Sequence, residues 1–311
     1  MNVTTFNTGI ELLDQVNSAL LHFNNIDGAM DELCCSLKDI HNLLTDKEWK
    51  EFASQCTAHP LRVQLHQDPL TNRAFTKPRG YPGDARLMDF IYRSYSVQAE
   101  VNSSTPLGRK LYEYTSNSPA ACAVRFRRDF AARAIDNFAE EVDLLHILSV
   151  ACGHMDEARC SYALSNGHIG KYVGFDQDAQ SLQFVRKELG HLPIQCVQGS
   201  VQELIYGKKD LGKYDFVYSL GLFDYLPRTV AKLLTETMFN LLNPGGRLLI
   251  ANFAKGIRDI GYMESFMDWK LIYRSVEEMA ELAEDITDSF ADKHVFKEEN
   301  QTVVFLSIRK S

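Results

Sequence analysis

The chain has no apolar run approaching the ~20 residues of a membrane span, so no membrane association is expected. Basic residues are the minority charge: 33 Lys and Arg stand against 41 Asp and Glu, for a net charge of −8. Phosphate backbones are gripped by basic surfaces, so nucleic acid is not an expected partner. No C-x-x-C pair occurs. The seven cysteines are an odd number, lie mostly inside apolar segments, and include the adjacent Cys34 and Cys35. That argues against a disulfide framework and a structural zinc site, and for reduced thiols with no metal. The opening stretch MNVTTFNTGIELLDQ lacks the basic and apolar regions of a signal peptide. A cytoplasmic protein is therefore expected. No internal repeat or low-complexity segment is visible.

What remains is an ordinary globular composition, 45% hydrophobic and 24% charged over 311 residues. It allows a sizeable core and one large or two ordinary domains. Ile10, Leu13, Val16, Leu20 and Phe23 recur at helical spacing, as do Leu33, Leu37, Ile40 and Leu44. Asp46 stands where a cap would open a third helix. A helical bundle is expected there, and any homodimer is expected to form through these N-terminal helices.

Residues 59–97 read as an ordered loop between helices. Within it, Lys77-Pro78-Arg79-Gly80-Tyr81-Pro82-Gly83-Asp84 combines two glycines, two prolines and an acid. Asp84 has the position of an N-cap before Leu87, Met88, Phe90 and Ile91. One reading makes the loop a turn in which arginine and acid pair; the other makes it a lid that presents Arg79 and Tyr81. Helix resumes from Pro106 to Ala134. Its Arg125, Arg127, Arg128 and Arg133 read either as a solvated face or as an anion clamp. A domain boundary is expected near residues 136–143.

The chain is organised around Leu144 to Asp178. Leu144, Leu145, Ile147, Leu148 and Val150 suit a strand buried on both faces. Ala151, Cys152 and Gly153 follow, and small residues let a ligand approach the backbone. A helix over about 155–165 and a strand Tyr172–Phe175 ending at Asp176 complete the unit. In open parallel sheets, ligands bind beyond the carboxyl ends of the strands. An acid there can accept both hydroxyls of a ribose. A dinucleotide turn needs G-x-G-x-x-G, whereas this one reads A-C-G-H-M-D, so a nucleoside with a short charged tail fits better. Further strands are expected at 194–197, 214–219, 247–253, 294–297 and 302–308. Helices are expected over Leu182–Leu189, 229–242 and 282–290, with a turn at 243–246. The alternation predicts a doubly wound α/β sheet whose last two strands form an antiparallel hairpin.

Val150-Ala151-Cys152-Gly153, Gly174-Phe175-Asp176, Gln198-Gly199-Ser200, Ser219-Leu220-Gly221 and Asn243-Pro244-Gly245-Gly246 together resemble class I S-adenosylmethionine-dependent methyltransferases. The likeness spans about residues 140–310. One departure is Ser149 and a single Gly153, where that family has an acid and two or three glycines. The resemblance implies a Rossmann-like seven-stranded sheet and S-adenosyl-L-methionine as cofactor. It implies that Ala151, Cys152 and Gly153 line the methionine part, Asp176 and Gln177 hold the ribose, and Ser200 and Val201 flank the adenine. Ser219 and Gly221 would face the sulfonium, and Glu157 could meet the ammonium. Phe75-x-Lys77 through Asp84, Val124-Arg125-x-Arg127-Arg128 and Trp269-x-Leu271-Ile272-Tyr273-Arg274 are similar to a bacterial branch with an N-terminal helical cap. The implied domains are a helical cap over 1–138 and a methyltransferase domain over 139–311.

Such enzymes transfer a methyl group by in-line displacement, where alignment does much of the work. A carboxylate acceptor needs no base, whereas a hydroxyl or an amine does. The base candidates are Tyr81, Asp224 and His154, with Tyr225, Glu264 and Tyr273 behind them. Arg79, Tyr81, Phe223, Tyr225, Met263 and Tyr273 are the expected acceptor contacts. Trp269 and Tyr273, four apart, read as core-facing. The expected reaction is methylation of an oxygen, or a nitrogen, of a small molecule. The alternative is a non-catalytic module that binds S-adenosylmethionine or its demethylated product. A nicotinamide oxidoreductase is a third reading, which the single-glycine turn argues against.

Overall fold

The computed structural model describes residues 3–286 and 290–311. The chain forms two compact units. The first runs to Val124 and takes in Gly256–Lys270; the second comprises Arg125–Lys255 and Leu271–Ser311. In order, the helices are α1 (Val3–Leu21), α2 (Ile26–Leu43), α3 (Asp46–Ala58), α4 (Leu61–Leu65), α5 (Pro69–Thr76), α6 (Ala85–Ile91), α7 (Gln98–Ser103), α8 (Pro106–Thr115), α9 (Pro119–Ala139), α10 (Asp156–Cys160), α11 (Tyr162–Ser165), α12 (Ala179–Leu189), α13 (Val201–Ile205), α14 (Arg228–Asn240), α15 (Ile260–Phe266) and α16 (Val276–Ala280). The strands are β1 (Leu145–Val150), β2 (Ile169–Asp176), β3 (Ile194–Gln198), β4 (Tyr214–Ser219), β5 (Leu242–Phe253), β6 (Phe290–Lys297) and β7 (Val303–Lys310). The units divide between Val124 and Arg125, inside α9, whereas the sequence places a boundary near 136–143.

In the first unit most of both apolar stripes is buried, Leu13, Val16 and Leu20 on α1 and Leu33, Leu37 and Ile40 on α2, whereas Phe23, past the end of α1, is exposed. Thr45, not Asp46, caps α3; its hydroxyl accepts from Glu48 N–H, and Glu48 reaches back to the Thr45 N–H. Asp46 is the first helical residue instead. Residues 59–97 are mostly helical, because Asp68 and Asp84 each cap a short helix, and the irregular stretch shrinks to 77–84. Asp84 accepts from Leu87 N–H at 2.7 Å, and its ion-pair partner is Arg73 at 2.7 Å. The expected pairing within the 77–84 loop is therefore replaced by a bond to α5.

The segment Gly256–Lys270 is built into this unit. Gly261 on α15 lies so close to α2 that a Cβ would stand 2.6 Å from the Leu37 carbonyl carbon, so only glycine fits. Trp49 Nε1 donates to Glu264 at 2.8 Å, and Asp259 accepts from Ala120 N–H at 2.7 Å. Arg258 bonds both Asp31 and Tyr114.

The second unit is a sheet in the order β3-β2-β1-β4-β5-β7-β6 among the described residues. β1 to β5 pair in parallel, and β7 runs antiparallel to both β5 and β6. The core residues include Leu148, Val173, Val217, Leu248 and Ile250 from the strands and Leu234 and Met238 from α14. The turn at 243–246 lies inside β5 as an irregularity, with Leu242 opposite Tyr214 and Arg247 opposite Phe216. The helix expected over 155–165 is broken at Ser161, whose hydroxyl caps α11 and donates to Asp136 at 2.7 Å. The helix expected over 282–290 is instead α16 with a 3-10 turn at Glu281–Ala283. Residues 287–289 lie outside the described residues, and Phe290 opens β6. Trp269 and Tyr273 lie outside any helix, and Trp269 is buried.

Candidate active site

The carboxyl end of β1 leads into a tight turn. Ala151, Gly153 and Met155 all have left-handed backbones, with φ of 55°, 55° and 53°. For the two non-glycine residues this costs of order 1–2 kcal/mol each, and such strain gathers where a backbone is held for a ligand. The turn is stitched to the end of β2. Cys152 N–H donates to the Phe175 carbonyl at 3.1 Å, and Gly153 N–H donates to Asp176 Oδ2 at 2.9 Å. Asp178 N–H supplies the other Asp176 oxygen at 2.8 Å. Gly174 makes room beneath; a Cβ there would stand 2.6 Å from Met155 Sδ. Asp176 is 8% exposed, and burial raises its pKa against the pull of those N–H groups. Each carboxylate oxygen has a second lone pair, so the acid retains acceptor capacity for two further donors.

Below the turn, Glu157 of α10 is buried and accepts from Tyr218 Oη at 2.6 Å, while Tyr218 Oη also meets Tyr172 Oη. Burial raises the Glu157 pKa, and Tyr218 opposes that rise. This chain of polar groups spans β2, β4 and the first helix after β1.

The carboxyl end of β4 is built differently. Ser219 closes the strand; its hydroxyl is buried and has no hydrogen-bond partner among the described residues. A 3-10 turn at Phe223–Tyr225 follows. There Asp224, 2% exposed, accepts from Phe253 N–H through Oδ1 at 2.7 Å and pairs with Arg127 Nη1 through Oδ2 at 3.4 Å. Burial raises its pKa, and Arg127 opposes that. Arg127 comes from α9, is 4% exposed, and keeps an Nε–H with no partner among the described residues. Its guanidinium carbon lies 5.3 Å from the centre of the Phe253 ring. Arg274 is also buried; it donates to the Phe223 carbonyl at 2.6 Å and bonds Leu226 O and Asn252. One buried guanidinium thus pairs with the carboxylate, and a second is held close by through main-chain carbonyls and Asn252.

Residues 147–246 match the family model described as a methyltransferase domain. The chain carries a class I S-adenosylmethionine-dependent methyltransferase domain. The fold of this methyltransferase recurs in a "possible exported protein" from Bordetella parapertussis at 18% identity, covering 83% of this chain and 96% of that one, with a TM-score of 0.56. Magnesium protoporphyrin IX methyltransferase from Synechocystis PCC 6803 aligns at 13% identity and a TM-score of 0.44, over 62% of this chain and 84% of that one. An N-methyltransferase from Bradyrhizobium japonicum WM9 aligns at 9% identity and a TM-score of 0.43, over 60% and 96%. At these identities the likeness is one of fold. None of the curated protein sequences matches this one.

Among the cofactor residues expected for the methyltransferase, Ala151, Cys152, Gly153 and Asp176 come together at the first turn. Gln177 is exposed beside them, and its carbonyl accepts from Gln198 at 3.3 Å. Ser200 caps α13 in a reciprocal box with Glu203, and Val201 packs against the core. Ser219 and Gly221 stand at the end of β4. Glu157, expected toward an ammonium, points inward and accepts from Tyr218.

Of the base candidates, His154 is buried and stacks on Phe184 at 3.9 Å between ring centres. Phe223, expected to touch the acceptor, is fully enclosed in the hydrophobic core, because the turn after β4 folds its ring back against the sheet. Tyr225 and Tyr273 are half-buried in this unit. Arg79, Tyr81 and Met263 belong to the first unit, with Met263 on α15 buried. Arg127, which the sequence offers as part of either a solvated face or an anion clamp, is buried and so is no solvated face; Arg274 is not among the site residues expected from sequence. The signal for Arg127 was present: Ala120, Val124, Arg127, Ala131 and Ile135 form one buried stripe of α9, and an arginine on such a stripe demands an internal partner.

Proposed function

We propose that this methyltransferase binds S-adenosylmethionine beyond β1 and β2 and methylates the carboxylate oxygen of a small organic acid. The cofactor-side fit rests on three features: a turn with left-handed Ala151 and Gly153, an Asp176 with spare lone pairs, and a Ser219 hydroxyl with no partner among the described residues. Bound there, S-adenosylmethionine supplies an activated methyl carbon. Ala151, Cys152 and Gly153 would hold its methionine part, Asp176 its ribose, and Val201 its adenine.

The observation that carries the choice of acceptor is the charge balance at the end of β4. Arg127 faces Asp224 only through Nη1 at 3.4 Å, Arg274 is buried close by, and Arg127 Nε–H has no acceptor among the described residues. Unpaired buried charge is costly, so an incoming anion is the natural complement. A carboxylate nucleophile needs no base, which accords with a committed Asp224 and a stacked His154. Arg79 and Tyr81 are assigned to the acceptor as part of this proposal, on the strength of the loop resemblance, and Met263 on its apolar side chain. Tyr81→Phe is expected to lower turnover while leaving S-adenosylhomocysteine affinity unchanged.

The test is transfer of a tritiated methyl group from S-adenosylmethionine to small-molecule fractions, followed by mild alkali. A methyl ester releases volatile labelled methanol. Alkali-stable label would move the acceptor to a hydroxyl or an amine. Tight S-adenosylhomocysteine binding with no transfer to any fraction would favour a non-catalytic binding module.

A further inference from the structure

The backbone passes between the two units at three places: Val124 to Arg125, Lys255 to Gly256, and Lys270 to Leu271. Within the second unit, Asp224 is bonded next to each of them. Arg127, just after the first passage, meets its Oδ2 at 3.4 Å. Phe253, just before the second, donates its N–H to Oδ1 at 2.7 Å. Ile272, just after the third, donates its N–H to the Asp224 carbonyl at 2.7 Å. Secondary bonds close the same knot: Asn252 Nδ2 reaches the Ile272 carbonyl at 2.9 Å, and Arg274 N–H reaches the Phe253 carbonyl at 3.0 Å. Ala254 and Arg274 form an isolated parallel bridge. One residue of a three-residue turn thus holds every point at which the chain enters or leaves this unit.

A carboxylate in that position is poorly placed to take a proton from an acceptor. Its Oδ1 is spent on a main-chain N–H, its Oδ2 faces a guanidinium, and the residue is 2% exposed. We propose that Asp224 is a positioning residue that keeps the turn after β4 in register with the three passages to the helical unit. Only the description of that turn as the acceptor side rests on the function proposed above. Removing the side chain would free Phe253 N–H and Arg127 together, while the Asp224 carbonyl would lose the rigid turn that presents it to Ile272. The bonds at the first turn, through Gly153 and Asp178, share no atom with this knot.

Hydrogen exchange on the full chain, read by mass spectrometry, tests this with Asp224→Ala and Asp224→Asn. Asp224→Ala is expected to speed exchange about tenfold or more in peptides covering 250–255 and 271–275. Peptides covering 150–156 and 174–178 keep their wild-type rates, and S-adenosylhomocysteine affinity stays within about twofold. Asp224→Asn retains an acceptor for Phe253 N–H, so it should protect 250–255 and loosen mainly 125–130. Faster exchange confined to 222–226 would overturn the proposal. So would wild-type exchange in Asp224→Asn together with abolished methyl transfer, which is the signature of a base. If Asp224→Ala does not fold, the pattern in Asp224→Asn decides alone. If the wild-type chain binds no S-adenosylhomocysteine, the function proposed above fails, while the exchange rates still decide this inference.

Discussion

The two ends of the ligand-facing edge of the sheet are held by different means. Beyond β1 and β2 the backbone does most of the work: a turn of small residues, left-handed torsions, and an acid fixed by two main-chain N–H groups. Beyond β4 and β5 the work falls to charged side chains: Arg127, Asp224, Arg274 and the amide of Asn252. In the proposed function the first arrangement presents one geometry to the cofactor, and the second, which can be altered residue by residue, serves the acceptor. The difference also sets what each half costs when damaged, since a buried charge that loses its partner is far more expensive than a lost hydrogen bond.

The largest effect is therefore expected from Arg127→Met. It leaves Asp224 buried with weaker compensation and should destabilise the protein by about 3–5 kcal/mol, read from the denaturant midpoint. A variant of wild-type stability would mean that Arg127 serves the acceptor alone. The helical unit offers a second buried acid for contrast. Asp68 is fully buried and is held by the backbone N–H groups of Leu70 and Thr71 and the hydroxyls of Thr71 and Thr115, with none of the cations that flank Asp224. Burial pushes its pKa from 3.8 up to about 6. A raised folded-state value means that its contribution favours the native state below about pH 4 and is lost as pH rises through about 6. Thermal melts should show wild type losing up to ~3 kcal/mol relative to Asp68→Asn across that window. A pH-independent difference would show that the hydroxyl donors neutralise the burial cost.

On the cofactor side, Asp176→Ala should weaken S-adenosylhomocysteine binding by about 2–3 kcal/mol in calorimetry, the worth of hydrogen bonds to a charged group. Unchanged affinity would break the comparison, because the acid would then serve only its own turn. The smallest effect is expected at Ser200, whose hydroxyl is already spent on the cap of α13. Ser200→Ala should cost about 1 kcal/mol of stability and leave S-adenosylhomocysteine affinity where it was. A loss of affinity instead would restore the hydroxyl as an adenine contact.

Most of the sheet was readable along the chain. β4 lies where its apolar run lies, and the first turn, Gly174 and Asp176 meet as their spacing in one strand-turn-helix-strand unit implies. Short helices were harder. Those between 59 and 97 depend on single caps and on burial rather than on a long stripe, and α10 and α11 separate at Ser161 because Asp136, 25 residues earlier, claims its hydroxyl.

Local order in the chain thus determined the sheet, its parallel and antiparallel halves, and the backbone-built end of the ligand edge, because each needs only neighbours within one or two elements. Tertiary structure alone decided the side-chain end. Arg127, Asp224, Phe253 and Arg274 are strung over nearly 150 positions, and no periodicity announces which distant cation will neutralise a buried acid. It also decided that Gly256–Lys270 belongs with the helices, a matter of which surface Gly261 could approach closely enough to bury.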